Sequence, residues 1–182
     1  DFVDIDVNTY ILSYYALEEK LIKAEKEGVL PKIVVPVHFS GQSCDMEKIY
    51  KLSQKYGFKI IEDASHAIGG KYKGQLIGNC KYSNITIFSF HPVKIITTGE
   101  GGIALTNSSV LKEQMQLLRS HGITRDQDLM TQKIEGSWYY QQIGLGYNYR
   151  MTDMQAALGI SQIKRIDSFI NIILFFIIWN NY

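Results

Sequence analysis

Short apolar, β-branched runs alternate with amphipathic helical segments through the first 63 residues, and this alternation restricts the chain to few folds. The runs that predict strands are 2–5, 33–37 and 58–61. The segments that predict helices are 13–27 and 45–56. Ser13 is the expected N-cap of the first helix, and a glycine follows each helix as its C-cap. We predict βαβ units with a mainly parallel sheet, whose ligand sites lie beyond the carboxyl ends of the strands.

The pattern changes after Asp63. Residues 71–78 predict a small hairpin, and residues 84–90 and 102–106 predict two strands that a glycine-rich turn makes antiparallel neighbours. The remaining segments are a helix at 110–121, a long structured loop at 122–149 and an amphipathic helix at 152–167. Leu111, Met115 and Leu118 are expected to face inward from the first of these helices.

Composition excludes several classes of partner. The chain has 182 residues and a formal net charge of +1, with no block of Lys or Arg, so we expect neither nucleic-acid nor membrane binding. Cys44 and Cys80 lie far apart and have no metal-ligand spacing, which favours two reduced thiols and no metal site. The acidic start of the sequence is unlike a secretory signal, so a cytoplasmic location is expected.

The final segment differs in composition from the rest. We therefore divide the chain into residues 1–167, the expected large domain, and residues 168–182, an apolar tail. The apolar stretch Phe169–Trp179 is shorter than the ~20 residues that span a bilayer. A core helix is one alternative for the tail, and a truncated or frame-shifted terminus is the interpretation we favour.

Two residues stand where a parallel sheet places its ligands. Asp63 directly follows one predicted strand, and Lys94 follows another within an apolar run. Burial disfavours a charged ammonium, and a neutral amine can condense with a carbonyl. An aspartate at the same edge would complement that chemistry if the carbonyl belonged to pyridoxal phosphate, because a carboxylate keeps the pyridine nitrogen protonated.

Each of these features also has an ordinary structural explanation. A lysine beside a strand is commonly a surface residue with its amine in water. An aspartate at a strand end is commonly a turn former, and glycines such as those of Gly99–Gly102 are commonly part of a turn. Spacing alone therefore leaves the cofactor site and the ordinary interpretation both open.

Longer strings add a family resemblance. "VVPVHFSGQSCDMEKI", "IIEDASHAIGGKYKG", "SFHPVKIITTGEGGIALTN", "LRSHGITRD" and "GYNYRMTDMQAALGISQIKRID" resemble the sugar aminotransferases of the DegT/DnrJ/StrS type, over about residues 1 to 167. The resemblance implies an aspartate-aminotransferase-like α/β fold (PLP fold type I) with a mixed, mainly parallel sheet. It also implies amino transfer from glutamate to C4 of a UDP-linked 4-keto-6-deoxy-N-acetylhexosamine in pseudaminic-acid synthesis.

The resemblance also implies roles at matching positions. Lys94 in "SFHPVK" matches the lysine that bonds to pyridoxal phosphate, and Asp63 in "EDASHA" matches the partner of the pyridine nitrogen. His66 matches a position near the ring hydroxyl, and Ser89 matches a phosphate ligand. Asn148 in "GYNYR" matches an amide that reaches the phosphate of the neighbouring subunit, which implies a homodimer with shared sites.

Two alternatives accompany this interpretation. The family supplies a further phosphate site and a stacking aromatic from an earlier segment, and a smaller domain from a later one, so the large domain is expected to be incomplete at both ends. The polypeptide would then be a non-catalytic remnant of such an enzyme. A sugar dehydratase on the same scaffold is the second alternative, but that branch carries His where Lys94 stands.

Overall fold

The computed structural model describes residues 1–179. Its helices are Tyr14–Glu27 (α1), Met46–Tyr56 (α2), Ser109–Arg119 (α3), Asp153–Ile163 (α4) and Ile166–Trp179 (α5). Its strands are Ile33–Val34 (β1), Lys59–Asp63 (β2), Lys71–Tyr72 (β3), Gln75–Leu76 (β4), Ile85–Ser89 (β5), Gly102–Leu105 (β6), Ile123–Thr124 (β7) and Gln141–Gln142 (β8). The chain divides into two units, one formed by residues 1–107 with the chain from residue 153 onward, and the other by Ser108–Thr152.

The first unit is built on a mixed sheet. Within the described residues its order is β1-β2-β5-β6, with β1, β2 and β5 parallel and β6 antiparallel to β5. This confirms the predicted α/β class, the mainly parallel sheet and the antiparallel pairing of the last two strands. The predicted hairpin is also present, as the antiparallel pair β3 and β4.

Helices α1 and α2 form as their capping residues predict. The Ser13 hydroxyl accepts a hydrogen bond from the Ala16 amide, and Gly28 ends α1 in the left-handed conformation. Gly57 ends α2 in the same way. The apolar faces of both helices are buried with residues of the sheet, in a core that contains Leu17, Leu21, Ile49, Leu52, Tyr56, Phe58 and Ile60.

The predicted strand at 2–5 is not present; Ile5 instead makes a single antiparallel bridge with Leu12. The cause is local. The Asp6 carboxylate accepts hydrogen bonds from the Asn8 and Thr9 amides, and this turn brings the chain back on itself. Residues 2–5 therefore lie beside the residues that precede α1, and they take no place in the sheet.

The predicted run 33–37 is regular over its first two residues only. Pro36 has no N–H to donate, and the run resumes pairing at Val37, which bridges Asp63 in parallel.

The predicted helix 152–167 ends early, and the apolar tail forms the separate helix α5. Met154 of α4 is 83% exposed. Residues 180–182 of the tail lie outside the described part of the chain.

The second unit, Ser108–Thr152, contains α3 and the short antiparallel pair β7 and β8. Leu111 and Met115 of α3 are half-buried, whereas Leu118, also expected to face inward, is 44% exposed. Residues 122–149 form the predicted long loop, with β7 and β8 inside it.

A network of hydrogen-bonded polar side chains lies on the buried face of the sheet in the first unit. His38 Nε2 lies 2.8 Å from Glu62 Oε2, and both side chains are buried. The other Glu62 oxygen accepts hydrogen bonds from the hydroxyls of Ser83 and Thr86. Burial raises the pKa of the Glu62 carboxyl, but the hydrogen bonds from His38, Ser83 and Thr86 outweigh that effect and lower it overall. Glu62 is therefore held as a carboxylate.

The core predicts a contrast between two residues of α1. Leu17→Ala should lower the free energy of unfolding by about 2–5 kcal/mol, because Leu17 is buried and its removal leaves a cavity. Ile22→Ala, on the exposed side of the same helix, should cost less than about 1 kcal/mol. Urea denaturation measures both, and equal losses would contradict this assignment of the core.

Glu62 predicts a dependence of stability on pH. Because its folded-state pKa lies below its ordinary value of 4.5, its contribution is present above that pH and is lost as the pH falls toward the folded-state pKa. Glu62→Gln should therefore reduce the loss of unfolding free energy between about pH 6 and about pH 3. Glu19→Gln, which changes an exposed carboxylate of α1, is the control and should follow the unmodified chain. An unchanged acid response in Glu62→Gln would contradict the buried network.

Candidate active site at the carboxyl edge of the sheet

The register of β2 and β5 brings two of the predicted site residues to one face of the sheet. Asp63 is the last residue of β2 and is paired with Ile87, two residues before Ser89 at the end of β5. Side chains alternate along a strand, so Asp63, Ile87 and Ser89 share a face. The opposite face carries the buried residues Glu62, Thr86 and Phe88. Asp63 and Ser89 thus lie at the carboxyl ends of the neighbouring strands β2 and β5, on the more exposed face of the sheet.

Hydrogen bonds fix the backbone of Asp63 on both sides. Its N–H donates to Pro36 O and its C=O accepts from His38 N, each at 2.9 Å. The next residue, Ala64, donates to Ile87 O at 2.9 Å. Asp63 Oδ1 accepts from the Ser65 amide at 3.0 Å, and Oδ2 has no hydrogen-bond partner among the described residues. One carboxylate oxygen is therefore available to a donor.

Lys94 lies in a loop that is closed at its base. The Phe90 carbonyl accepts from the Thr98 amide at 3.0 Å and from the Thr97 hydroxyl at 2.9 Å. Phe90 N donates to Gly101 O, which carries the chain into β6. The return strand can approach because Gly102 has no side chain: a β-carbon there would lie 2.8 Å from Phe88 O. The glycine-rich turn and its threonines thus determine where the Lys94 loop begins and ends.

The surroundings of Lys94 are largely apolar. Its side chain is half-buried, and its amine makes no hydrogen bond or ion pair with the described residues. Val93, Lys94 and Ile95 line a cavity of about 330 Å³ together with Phe169, Ile172 and Ile173 of α5. The apolar segment that stood out in the sequence is therefore one wall of the space beside the lysine.

The same helix also contacts the loop that follows Asp63. Gly69 faces α5 so closely that a β-carbon there would lie 2.2 Å from Ile170 Cδ1. Since a helix rises about 1.5 Å per residue, the contacts of α5 with Gly69 and with the Lys94 cavity lie within about 5 Å of one another along its axis. The Asp63 and Lys94 loops therefore leave the sheet at the same edge.

His66 lies in the loop after Asp63, and its side chain is exposed. Its Nδ1 accepts a hydrogen bond from the Ser40 amide at 3.3 Å, and its ring lies 6.0 Å from that of Phe39. An amide can only donate, so Nδ1 carries no proton and the neutral ring holds it on Nε2. His66 therefore presents an N–H donor on its outer side. Ser89 Oγ accepts from the His91 amide at 3.3 Å.

Asn148 belongs to the second unit, Ser108–Thr152, and is described within it. It pairs with Ser120 through an isolated antiparallel bridge, and its side chain is exposed. Arg150 donates to Asn148 Oδ1 at 3.3 Å. With its oxygen occupied, the amide presents its NH₂ group as a donor.

Sequence reasoning missed His38 and Glu62, which lie behind this edge of the sheet. A signal for both was present. Period-two alternation in "VVPVH" and "IIED" places His38 and Glu62 on the buried side of their strands, where an unpaired polar group would be costly. Two buried polar residues on neighbouring strands are expected to pair.

The residues present suit a phosphorylated pyridine aldehyde. Within the described part of the chain, Asp63 has a carboxylate oxygen without a partner, which suits a protonated ring nitrogen, and Lys94 has an amine without a partner, which suits an aldehyde carbon. The Ser89 hydroxyl can donate to a phosphate oxygen. This donor set fits pyridoxal phosphate, and most of it lies along one edge of one sheet.

Comparison with known proteins agrees with that chemistry. Residues 1–172 match the model of the DegT/DnrJ/EryC1/StrS aminotransferase family. A Campylobacter jejuni UDP-4-amino-4,6-dideoxy-N-acetyl-beta-L-altrosamine transaminase is 41% identical over 167 residues, which are 92% of this chain and 40% of that protein. The chain spans about two fifths of the length of the curated relatives it matches.

Solved structures agree as well. Helicobacter pylori PseC, an aminotransferase of pseudaminic acid biosynthesis, superposes with a TM-score of 0.77 at 32% identity, over 92% of this chain and 40% of that one. A Streptococcus pneumoniae sugar aminotransferase in its PLP form gives a TM-score of 0.70 at 30% identity, over 91% of this chain and 43% of that one. The fold is that of the PLP fold type I aminotransferases.

No described helix is both long enough and apolar enough to cross a membrane. The family match extends through both units and includes the segments that carry Asp63, Lys94 and Asn148. This chain belongs to the DegT/DnrJ/EryC1/StrS aminotransferase family, whose enzymes depend on pyridoxal phosphate.

Proposed function

We propose that this chain supplies the cofactor-binding part of a sugar aminotransferase that moves an amino group from glutamate to C4 of a UDP-linked 4-keto-6-deoxy-N-acetylhexosamine. The observation that supports it is the shared edge of the sheet: Asp63 and Ser89 lie on one face there, and the Lys94 loop leaves the sheet beside them. The similarity to a UDP-sugar transaminase supports the choice of substrate.

Each residue then has a distinct task. Asp63 offers its free carboxylate oxygen to the ring nitrogen, and Ser89 donates to the phosphate. His66 offers its Nε2–H to a ring oxygen. Bound pyridoxal phosphate supplies an aldehyde carbon that takes up an amine and a ring that accepts the electrons of a carbanion. With the cofactor bound, Lys94 would carry a proton from the carbon of the amino donor to the former aldehyde carbon of the cofactor, and in the second half of the reaction from that carbon to C4 of the sugar.

The amine of Lys94 is suited to proton transfer because it has no fixed partner in residues 1–179. A lysine locked in an ion pair would have to break that pair first, whereas Lys94 is flanked by apolar Val93 and Ile95. Hydrogen bonds to the Phe90 carbonyl fix the base of the loop, so the Lys94 side chain extends from a fixed part of the backbone. Proton transfer by a positioned amine contributes about 10²–10⁴-fold to the rate.

The buried thiols fit a reducing compartment, and we place the protein in the cytoplasm. Burial raises the pKa of the Cys44 thiol to about 11, so it remains protonated and unreactive. Cys80 is also buried and free. Neither cysteine is assigned a part in the chemistry.

Covalent labelling tests the role of Lys94. After incubation with pyridoxal phosphate and reduction with borohydride, peptide mass mapping should find the pyridoxyl group on Lys94. Lys94→Ala should abolish the label and reduce amino transfer by about 10²–10⁴-fold. Lys32→Ala is the matched control, because Lys32 is an exposed lysine at the amino end of β1, on the opposite edge of the sheet. A label elsewhere, or turnover by Lys94→Ala, would overturn the proposal.

Subunit mixing tests the proposed shared site. If Asn148 of one subunit reaches the phosphate bound by the other, neither Lys94→Ala nor Asn148→Ala homodimers contain an intact site. A dimer formed from one subunit of each variant contains one intact site. Mixing the two variants should restore tight cofactor binding with label at one site per mixed dimer. No recovery, in a mixture shown to exchange subunits, would place Asn148 outside the partner's site.

A further inference from the structure

The loop from His38 to Cys44 contacts the last two residues of β2, Glu62 and Asp63. It also contacts His66, which lies in the turn after β2. Its first residue, His38, donates its backbone N–H to Asp63 O at 2.9 Å. Its ring is fully buried and bonds to Glu62, the residue before Asp63. One residue of this loop therefore contacts the last two residues of β2, through the backbone of one and the side chain of the other.

The hydrogen bonds determine which His38 nitrogen carries the proton. Nδ1 accepts from the Cys44 amide at 3.3 Å, so the proton of the neutral ring lies on Nε2 and is donated to Glu62 Oε2 at 2.8 Å. Glu62 Oε1 accepts from the Thr86 hydroxyl at 3.0 Å and from Ser83. The chain of bonds thus joins the loop to β2 and β5, on the face opposite Asp63.

The other end of the same loop positions His66. The Ser40 amide donates to His66 Nδ1, and the Phe39 ring lies against the imidazole. Ser40 has a φ of 51°, a left-handed conformation that is uncommon for residues other than glycine. Gly41 is equally close, since a β-carbon there would lie 3.1 Å from His66 O. The loop therefore contacts both the ring and the backbone of His66.

We propose that His38 is a positioning residue: its bond to Glu62 holds the 38–44 loop so that Asp63 and His66 are presented together to the cofactor. This inference rests on the proposed function. The His38 ring lies on the buried face of the sheet; its backbone contacts Asp63, and the loop that it begins contacts His66 through Phe39 and Ser40. It sets the direction of the Asp63 carboxylate and of the His66 N–H, and exchanges no proton with the substrate.

Three variants separate positioning from a general loss of stability. His38→Asn keeps an acceptor for the Cys44 amide but is too short to reach Glu62. Glu62→Gln keeps an acceptor for His38, and its NH₂ group can donate to the two hydroxyls. It therefore keeps the arrangement of hydrogen bonds without the negative charge. Leu21→Val weakens the core under α1 and removes none of the hydrogen bonds of the loop.

Cofactor affinity is the first readout. Fluorescence titration with pyridoxal phosphate should show binding weakened at least about tenfold in His38→Asn and within about twofold of the unmodified chain in Glu62→Gln, which corresponds to less than about 0.5 kcal/mol. Leu21→Val should bind normally despite a lower melting temperature. Normal affinity in His38→Asn, or losses that simply follow melting temperature across the three variants, would overturn the proposal.

A second readout needs no cofactor. In NMR spectra of the free chain, His38→Asn should shift the His66 ring signals and the Asp63 and Ala64 amides, and should leave the Thr98 amide at the Lys94 loop unchanged. An unmodified chain that fails to bind pyridoxal phosphate would refute the proposed function, while these shifts would still decide the positioning.

If His38→Asn does not fold, Thr86→Val takes its place, since it removes one donor to Glu62. It should shift the same signals, and unchanged His66 signals would overturn the inference.

Discussion

The parallel pairing of β2 with β5 is the constraint on which the rest of the site depends. Because Asp63 is paired with Ile87, the ends of the two strands are offset by two residues, and Asp63 and Ser89 share a face. A shift of one residue would turn Ser89 to the buried side and Ile87's neighbour Phe88 to the open side. The buried contact between Glu62 and Thr86 holds this register from behind, since the two residues are paired and hydrogen-bonded.

That register gives the carboxylate and the lysine different supports. Asp63 lies on the sheet itself, with backbone bonds to segments on both sides. Lys94 lies on a loop whose base is fixed but whose tip borders a cavity. These supports suit the proposed roles, in which Asp63 holds the ring while the Lys94 amine reaches two carbon atoms in turn. The apolar α5 borders both loops.

Much of the fold and several of the site residues could be predicted from the sequence because they depend on local chemistry. Ser13, Gly28 and Gly57 bound α1 and α2 through capping, and "IIED" marks the end of a parallel strand. The prediction of a strand at 2–5 was wrong, because an apolar run does not indicate which segment it pairs with. The turn at Asp6 brings Leu12 beside Ile5, and the two residues pair with each other. Pairing across the sheet is likewise non-local, which is why His38 and Glu62 were overlooked although each fits the buried face.

The distance between the Asp63 carboxylate and the ring nitrogen of pyridoxal phosphate tests the central claim most directly. It can be measured in a crystal structure of the chain after the cofactor has been reduced onto its lysine. The account predicts a carboxylate oxygen within about 3.2 Å of that nitrogen, with the cofactor attached at Lys94. A ring nitrogen more than about 4 Å from Asp63, or a cofactor held at another edge of the sheet, would contradict it.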